Sequence, residues 1–320
     1  MAATTGTTGR RETVEQPTTG YEARRRALRA RRLRRGWVAL ALVVPAAVFY
    51  GVFVLRPLAL TVQYSFYDWN GIGPATWVGW GNYTRLVRDD AMLGSIVNAL
   101  ELIIYFSFVP VVLGLFTAAT IRKLATSRLA AVSRTVLFLP QVIPLVAAGI
   151  MWTWLMASDG VVNQLLGLVG LGGVTRAWLG DFGTALPAVG VIGAWVALGL
   201  CMLLLLAGMT KIDPALYEAA RIDGAGAVRE FFSITLPSLR QELGVCVTVT
   251  VIAALASFDI IYISTQGGPG NSTLVPGLEI YYLAFFSREI GQASALAVAF
   301  MLLVLAVVLP VQRLTRDSDS

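Results

Sequence analysis

Six long apolar stretches, about residues 37–55, 100–121, 135–158, 187–209, 243–264 and 291–312, constrain this chain more than anything else in it. Charge enters them only at Glu101 and Asp259. About twenty residues at 1.5 Å each span the ~30 Å hydrocarbon layer of a bilayer. Backbone groups in such a run find no water there, so the chain must satisfy them itself as helix. The expected fold is therefore all-α, a polytopic membrane protein with six transmembrane helices. Composition agrees. Hydrophobic residues make up 56% of the 320 positions and charged ones 14%, with a mean hydropathy of +0.70. A soluble domain carries charge at about a quarter of its positions.

The sequence also excludes much chemistry. It has no histidine, which removes the commonest general base and metal ligand. Cys201 and Cys246 lie inside apolar runs and read as small buried hydrophobes, with no disulfide or metal site expected. Residues 1–20 are rich in Thr and Gly and are expected to be disordered. The basic run 21–35 completes a tail, 1–36, that reads as a positive flank of the first span and not as a nucleic-acid site. With six spans and the N-terminus inside, segments 1–36, 122–134, 211–240 and 313–320 all face the cytoplasm. They hold 20 of the 25 Lys and Arg residues, as the positive-inside rule requires. The expected location is the cell membrane, with both termini cytoplasmic.

Residues 211–240, KIDPALYEAARIDGAGAVREFFSITLPSLR, form a charged island between the fourth and fifth runs. Asp213-Pro214 supplies an N-cap carboxylate and a proline at the first helical position. A short helix is expected over 216–223, with Gly224 placed to end it. A second piece from Val228 to Ile234 is expected to stop at Pro237. Helices this short do not persist alone in water, so they need a packing partner. Two readings stand at this point: an amphipathic loop lying at the headgroups, or a docking element for another protein.

Glu218-Ala219-Ala220, the glycine at 224 and Ile234-Thr235-Leu236-Pro237 resemble the EAA signature of binding-protein-dependent ABC importer permeases, in order, spacing and place before the penultimate span. Further features are similar to the sugar and glycerol-3-phosphate branch of that family. They are Gly81-Asn82-Tyr83, Arg134-Thr135 with Pro140, Gly160 with Asn163, Trp178-Leu179, Phe258-Asp259, Gly267-Gly268-Pro269 with Thr273, and the run from Gly291 to Ala295. The resemblance spans roughly residues 37 to 312. It implies a type I importer permease domain in which the segment is a coupling helix seated in a cleft of a cytoplasmic ATPase dimer. Tyr217, Glu218, Ala219, Ala220, Asp223, Gly224, Ile234, Leu236 and Pro237 would form the coupling site, with Glu218 paired to a basic residue of the ATPase. It further implies a second related permease and an extracellular or periplasmic solute-binding protein. This sequence contains no G-x-x-x-x-G-K-[ST] phosphate loop, and its only lysines are Lys123 and Lys211. The chain is thus expected to be no enzyme and to bind no cofactor of its own, ATP and Mg being used by the partner ATPase. Besides these proteins its partner is membrane lipid, and no nucleic acid.

A pathway for a polar solute needs polar and aromatic groups at membrane depth. Asp259 is the one carboxylate well inside the downstream apolar region, and a buried lone charge there is costly. Phe258, Asp259 and Tyr262 are the leading pathway candidates, with Trp152, Trp154, Asn98 and Tyr105 behind them. The competing reading has Asp259 solvated at the external end and the tryptophans in an interfacial belt. A rival function is an ion-coupled secondary transporter, which calls for intramembrane carboxylates in repeated halves. No internal repeat is visible here.

Overall fold

The computed structural model describes residues 41–124 and 127–316. The expectations for the tail 1–36 and for the last four residues lie outside that range. The chain falls into two units, 1–60 and 61–320. In the first, the described residues are helical, and this helix, α1 (Ala41–Tyr64), runs across the boundary. The second unit begins with a hairpin of β1 (Tyr67–Asp68) and β2 (Thr76–Trp77), paired antiparallel with Tyr67 opposite Trp77. Helices α2 (Gly81–Leu86), α3 (Asp90–Lys123), α4 (Arg128–Val142), α5 (Leu145–Leu155), α6 (Val161–Leu168) and α7 (Ala185–Lys211) follow. Then come α8 (Pro214–Ile222), α9 (Ala227–Ser238), α10 (Arg240–Leu255), α11 (Asp259–Ser264), α12 (Pro276–Tyr281) and α13 (Ile290–Arg316).

Among the described residues, α1, α3, α7 and α13 are each long and apolar enough to cross a membrane. Two bent pairs, α4–α5 at 102° and α9–α10 at 69°, bring the number to six if each is counted as one span. The chain is therefore a mostly helical, multi-pass membrane protein.

Prolines shape these helices in two ways. Three π turns each end two residues before a proline: Gly51–Leu55 before Pro57, Ile104–Phe108 before Pro110, and Phe231–Thr235 before Pro237. A proline ring clashes with the carbonyl four residues back, and widening that turn relieves the clash without ending the helix. The helix expected to stop at Pro237 accordingly runs on to Ser238. The α4–α5 break falls at Ile143 and Pro144. Ile143 is driven to an extended ψ of 129° by the ring that follows it. Pro140 stays inside α4.

The core is built around α7. A Cβ on Gly193 would run into the Phe106 ring, so only glycine lets α3 approach so closely. Phe106, Leu102, Val189, Ile192, Leu255, Ile260 and Ile261 fill one half of the bundle. Leu115, Ala118, Cys201, Met202, Leu205 and Cys246 fill the half toward residues 211–240. A buried hydrogen bond from Thr250 Oγ1 to Ser107 Oγ, 2.7 Å, ties α10 to α3. At the other end of the bundle, motif residues act as loop clamps. Asn82 donates to the carbonyls of Ser65 and Tyr67. Asn163 donates to those of Ala157, Ser158 and Arg176 and accepts from Trp178 Nε1 at 2.7 Å.

Candidate functional site

The charged island folds as two short helices on the end of the bundle. Asp213 is extended and its carboxylate accepts from the Ala215 N–H at 2.9 Å, with Pro214 at the first helical position. Helix α8 closes at Gly224, whose φ is +80°. The Gly224 N–H reaches the Arg221 carbonyl at 3.0 Å, and the Ala225 N–H reaches back to Ala220 at 2.9 Å. This pattern satisfies the orphan carbonyls of a helix end and requires a left-handed residue. Nothing lies within 4 Å of where a Gly224 Cβ would stand, so backbone conformation, not space, fixes the glycine. Ion pairs from Arg221 to Glu230 (2.8 Å) and from Lys211 to Glu242 (3.0 Å) brace the segment. The hydrogen bond and charge of Glu230 push the Arg221 guanidinium above its ordinary pKa.

Helix α8 presents most of its surface outward. Leu216 is 52% exposed and Ile222 87%, and Glu218 and Ala219 are exposed beside them. Tyr217 is the only buried residue of the helix. Its hydroxyl accepts from Arg122 Nη1 at 2.6 Å and lies 2.8 Å from Thr235 Oγ1. The Arg122 guanidinium also sits 4.5 Å from the Tyr217 ring centroid. Hydrogen bonds to charged groups contribute ~1.5–3 kcal/mol net, so this contact helps to hold α8 on the bundle. Beside it opens a cavity of about 620 Å³ lined by Phe116, Arg122, Tyr217, Glu218, Phe231 and Thr235 among others. Ile234, Leu236 and Pro237 lie in and just after the π turn of α9, half-buried or exposed, and are not part of that contact. Asp223 caps the exposed end of α8.

The pathway candidates cluster only in part. The fifth apolar run is not one helix: α10 ends at Leu255, Ala256 to Phe258 interrupt it, and α11 resumes at Asp259. Phe258 and Tyr262 stack across this break, with ring centroids 5.3 Å apart and planes at 11°. Tyr281 packs edge-on against both at 5.6 Å. Asp259 is exposed in the first turn of α11 and forms no ion pair among the described residues. Trp152 packs edge-on to Trp195 at 5.5 Å, and its indole N–H is buried without a partner, as is Ser257 Oγ in the break. Asn98 is committed elsewhere. Its amide donates to the carbonyls of Leu274 (2.8 Å) and Asn271 (3.1 Å), holding the loop after α11. Trp154 is 78% exposed, and Tyr105 packs against Gly190. Arg122 is the residue that reasoning from sequence missed, and Thr235, though part of the signature, was given no role by it. A basic residue at a span end serves topology in most membrane proteins, and nothing in spacing links position 122 to 217.

Comparison with known proteins fits this arrangement. Residues 111–315 match the model of the binding-protein-dependent transport system inner membrane component family. The chain is 34% identical over 292 residues to the diacetylchitobiose uptake system permease protein NgcF of Streptomyces coelicolor, covering 86% of this chain and 82% of that one. It is 32% identical over 288 residues to the sulfoquinovosyl glycerol transport system permease protein SmoG of Agrobacterium fabrum, covering 88% and 91%. The fold superposes with a TM-score of 0.76 on a chain of a bacterial ABC transporter that imports alginate, at 23% identity, over 91% of this chain and 99% of that one. The chain thus belongs to the binding-protein-dependent transport system inner membrane component family, the permeases of ABC importers.

Proposed function

We propose that this permease carries a sugar or related polar solute, and that α8 is the element through which a cytoplasmic ATPase drives it. The observation that carries the second point is the outward face of α8. Leu216, Ile222 and Ala219 form an exposed apolar surface on a charged segment outside the spans, which supports a protein contact there. The positive-inside count places that face in the cytoplasm. A pair of ATPase subunits supplies ATP and Mg chemistry, a second related permease completes the pathway, and a binding protein outside delivers the solute. ATP binding closes the ATPase pair, α8 carries the motion into the bundle, and the pathway opens outward; hydrolysis resets it.

The sugar reading is supported by the cargo named for NgcF and SmoG and by the Phe258–Tyr262 stack at a break in the fifth run. Non-helical backbone at membrane depth is tolerated where it is buried in protein or lines a water-filled cavity, and aromatic faces suit sugar rings. Phe258, Tyr262, Asp259 and Trp152 are the pathway residues in this account, and Asn98 shapes the loop behind them. Uptake of a panel of labelled mono- and disaccharides, measured in cells carrying the whole transporter, tests the assignment. At least one sugar should enter, its uptake should stop on ATP depletion and survive collapse of the proton gradient. The reverse pattern identifies an ion-coupled transporter and overturns the reading.

A further inference from the structure

We propose that Arg122, Tyr217 and Thr235 form a latch that passes the movement of α8 directly to α3 and to the entry of α10, so that coupling depends on one phenolic oxygen. The inference rests on the reading of α8 as the ATPase-docking element and adds the route by which force leaves it. A helix joined to the bundle only through its two flanking chain segments could rock without moving the spans. Here the segments flanking α8 are mostly exposed, apart from the buried Ile212 before it, and the single buried residue of the helix itself is Tyr217. Two other elements converge on its hydroxyl, α3 and α9. Arg122 stands in the last turn of α3, which runs the length of the bundle. Thr235, 5% exposed, stands in the π turn that leads through Leu239 into α10.

The chemistry suits a rigid link. A guanidinium only donates, so the phenol accepts at 2.6 Å from Arg122 and shares a second hydrogen bond of 2.8 Å with Thr235 Oγ1, in which either hydroxyl can be the donor. The guanidinium, 4.5 Å from the ring centroid, also holds the ring face. Both bonds are directional and partly or fully buried, which fixes the ring, and α8 with it, against α3 and α9 at once. The stacked pair Phe116 and Phe231, 6.4 Å apart and 7° from parallel, joins α3 to α9 at the same level. The latch predicts that α3 moves with α8 although no chain segment near α8 leads into it.

The test uses the complete transporter in proteoliposomes, with its ATPase and its binding protein as it co-purifies. Stimulation of ATP hydrolysis by the binding protein is read together with ATPase retention. Tyr217→Phe and Thr235→Val keep shape and remove one hydroxyl each. Stimulation should fall by ~10-fold in both, within the usual range of coupling between sites, and Thr235→Val should retain the ATPase and its basal rate. Thr235→Ser restores the hydroxyl and should behave as the wild type, which a packing role would not predict. Wild-type stimulation in Tyr217→Phe and Thr235→Val overturns the latch, as does equal loss in Thr235→Ser and Thr235→Val. Release of the ATPase by Thr235→Val also overturns it, since the link would then serve only to hold α8 in place. Glu218→Arg, on the outward face, separates the two levels. If it leaves ATPase binding unchanged, the docking reading fails; if it releases the ATPase while the latch variants behave as wild type, only the latch fails.

Discussion

At the scale of single residues, two positions have consequences that differ in kind. Gly224 adopts a left-handed backbone in open space, so its replacement strains the chain without a clash. Gly224→Ala should cost about 1 kcal/mol of local stability and weaken ATPase retention. Gly224→Val, β-branched at the same φ, should lose the ATPase from the purified complex while the bundle still folds. Retention equal to wild type in the valine variant would show that the turn does not set the angle of α8. Glu279 raises a matter of charge. Burial comes first, then the nearby charges of Asp89 and Glu289, in raising its carboxyl pKa. A raised pKa in the folded state means the ionised form opposes folding, so the cost is present above the folded pKa and disappears as pH falls below the ordinary carboxylate range. Glu279→Gln should therefore raise the melting temperature in detergent at pH 8, and the gain should vanish near pH 4. A gain that grows on acidification would contradict this assignment.

At the scale of elements, the sequence made the helices legible and their interruptions only partly so. Apolar length alone marked the spans, and Asp213-Pro214 and Gly224 marked both ends of α8. The kink or break expected of Pro140 and Pro144 in the third run was legible, but the outcome at Pro237 was not. Pro144 broke a helix, while Pro237 merely widened one, because relief depends on whether the preceding turn can open to π geometry. The break at Ala256 to Phe258 had no sequence signal of glycine or proline; beyond it α11 packs on α5, whereas α10 packs on α3 and α13. Its stacked rings are the element-scale prediction. Phe258→Ala and Tyr262→Ala should each raise the KM for sugar uptake several-fold, with the ATPase still bound. Asn98→Ala should leave the carbonyls of Asn271 and Leu274 without their donor, and speed hydrogen exchange in the loop 265–276. A Phe258 variant with unchanged KM would move the pathway away from this break.

At the scale of the whole molecule, the account is of a bundle with a lever at one end and a broken span toward the other. Composition carried the class of protein, and the distribution of 25 basic residues is the ground on which the proposed function turns α8 toward the cytoplasm. They could not carry the link between α8 and α3, since Arg122 and Tyr217 are brought together by the path of α7 and not by any local pattern. The native cysteines, Cys201 and Cys246, are both fully buried, so a single exposed cysteine can be read against a silent background. The most direct measurement is therefore cross-linking from Ala219→Cys in inside-out and right-side-out membrane vesicles, with a membrane-impermeant maleimide as competitor. The account predicts a cross-linked product containing the ATPase, with labelling of position 219 only in inside-out vesicles and only after the ATPase is stripped away. Labelling from the outer face, or no cross-link to the ATPase in an intact complex, would contradict it.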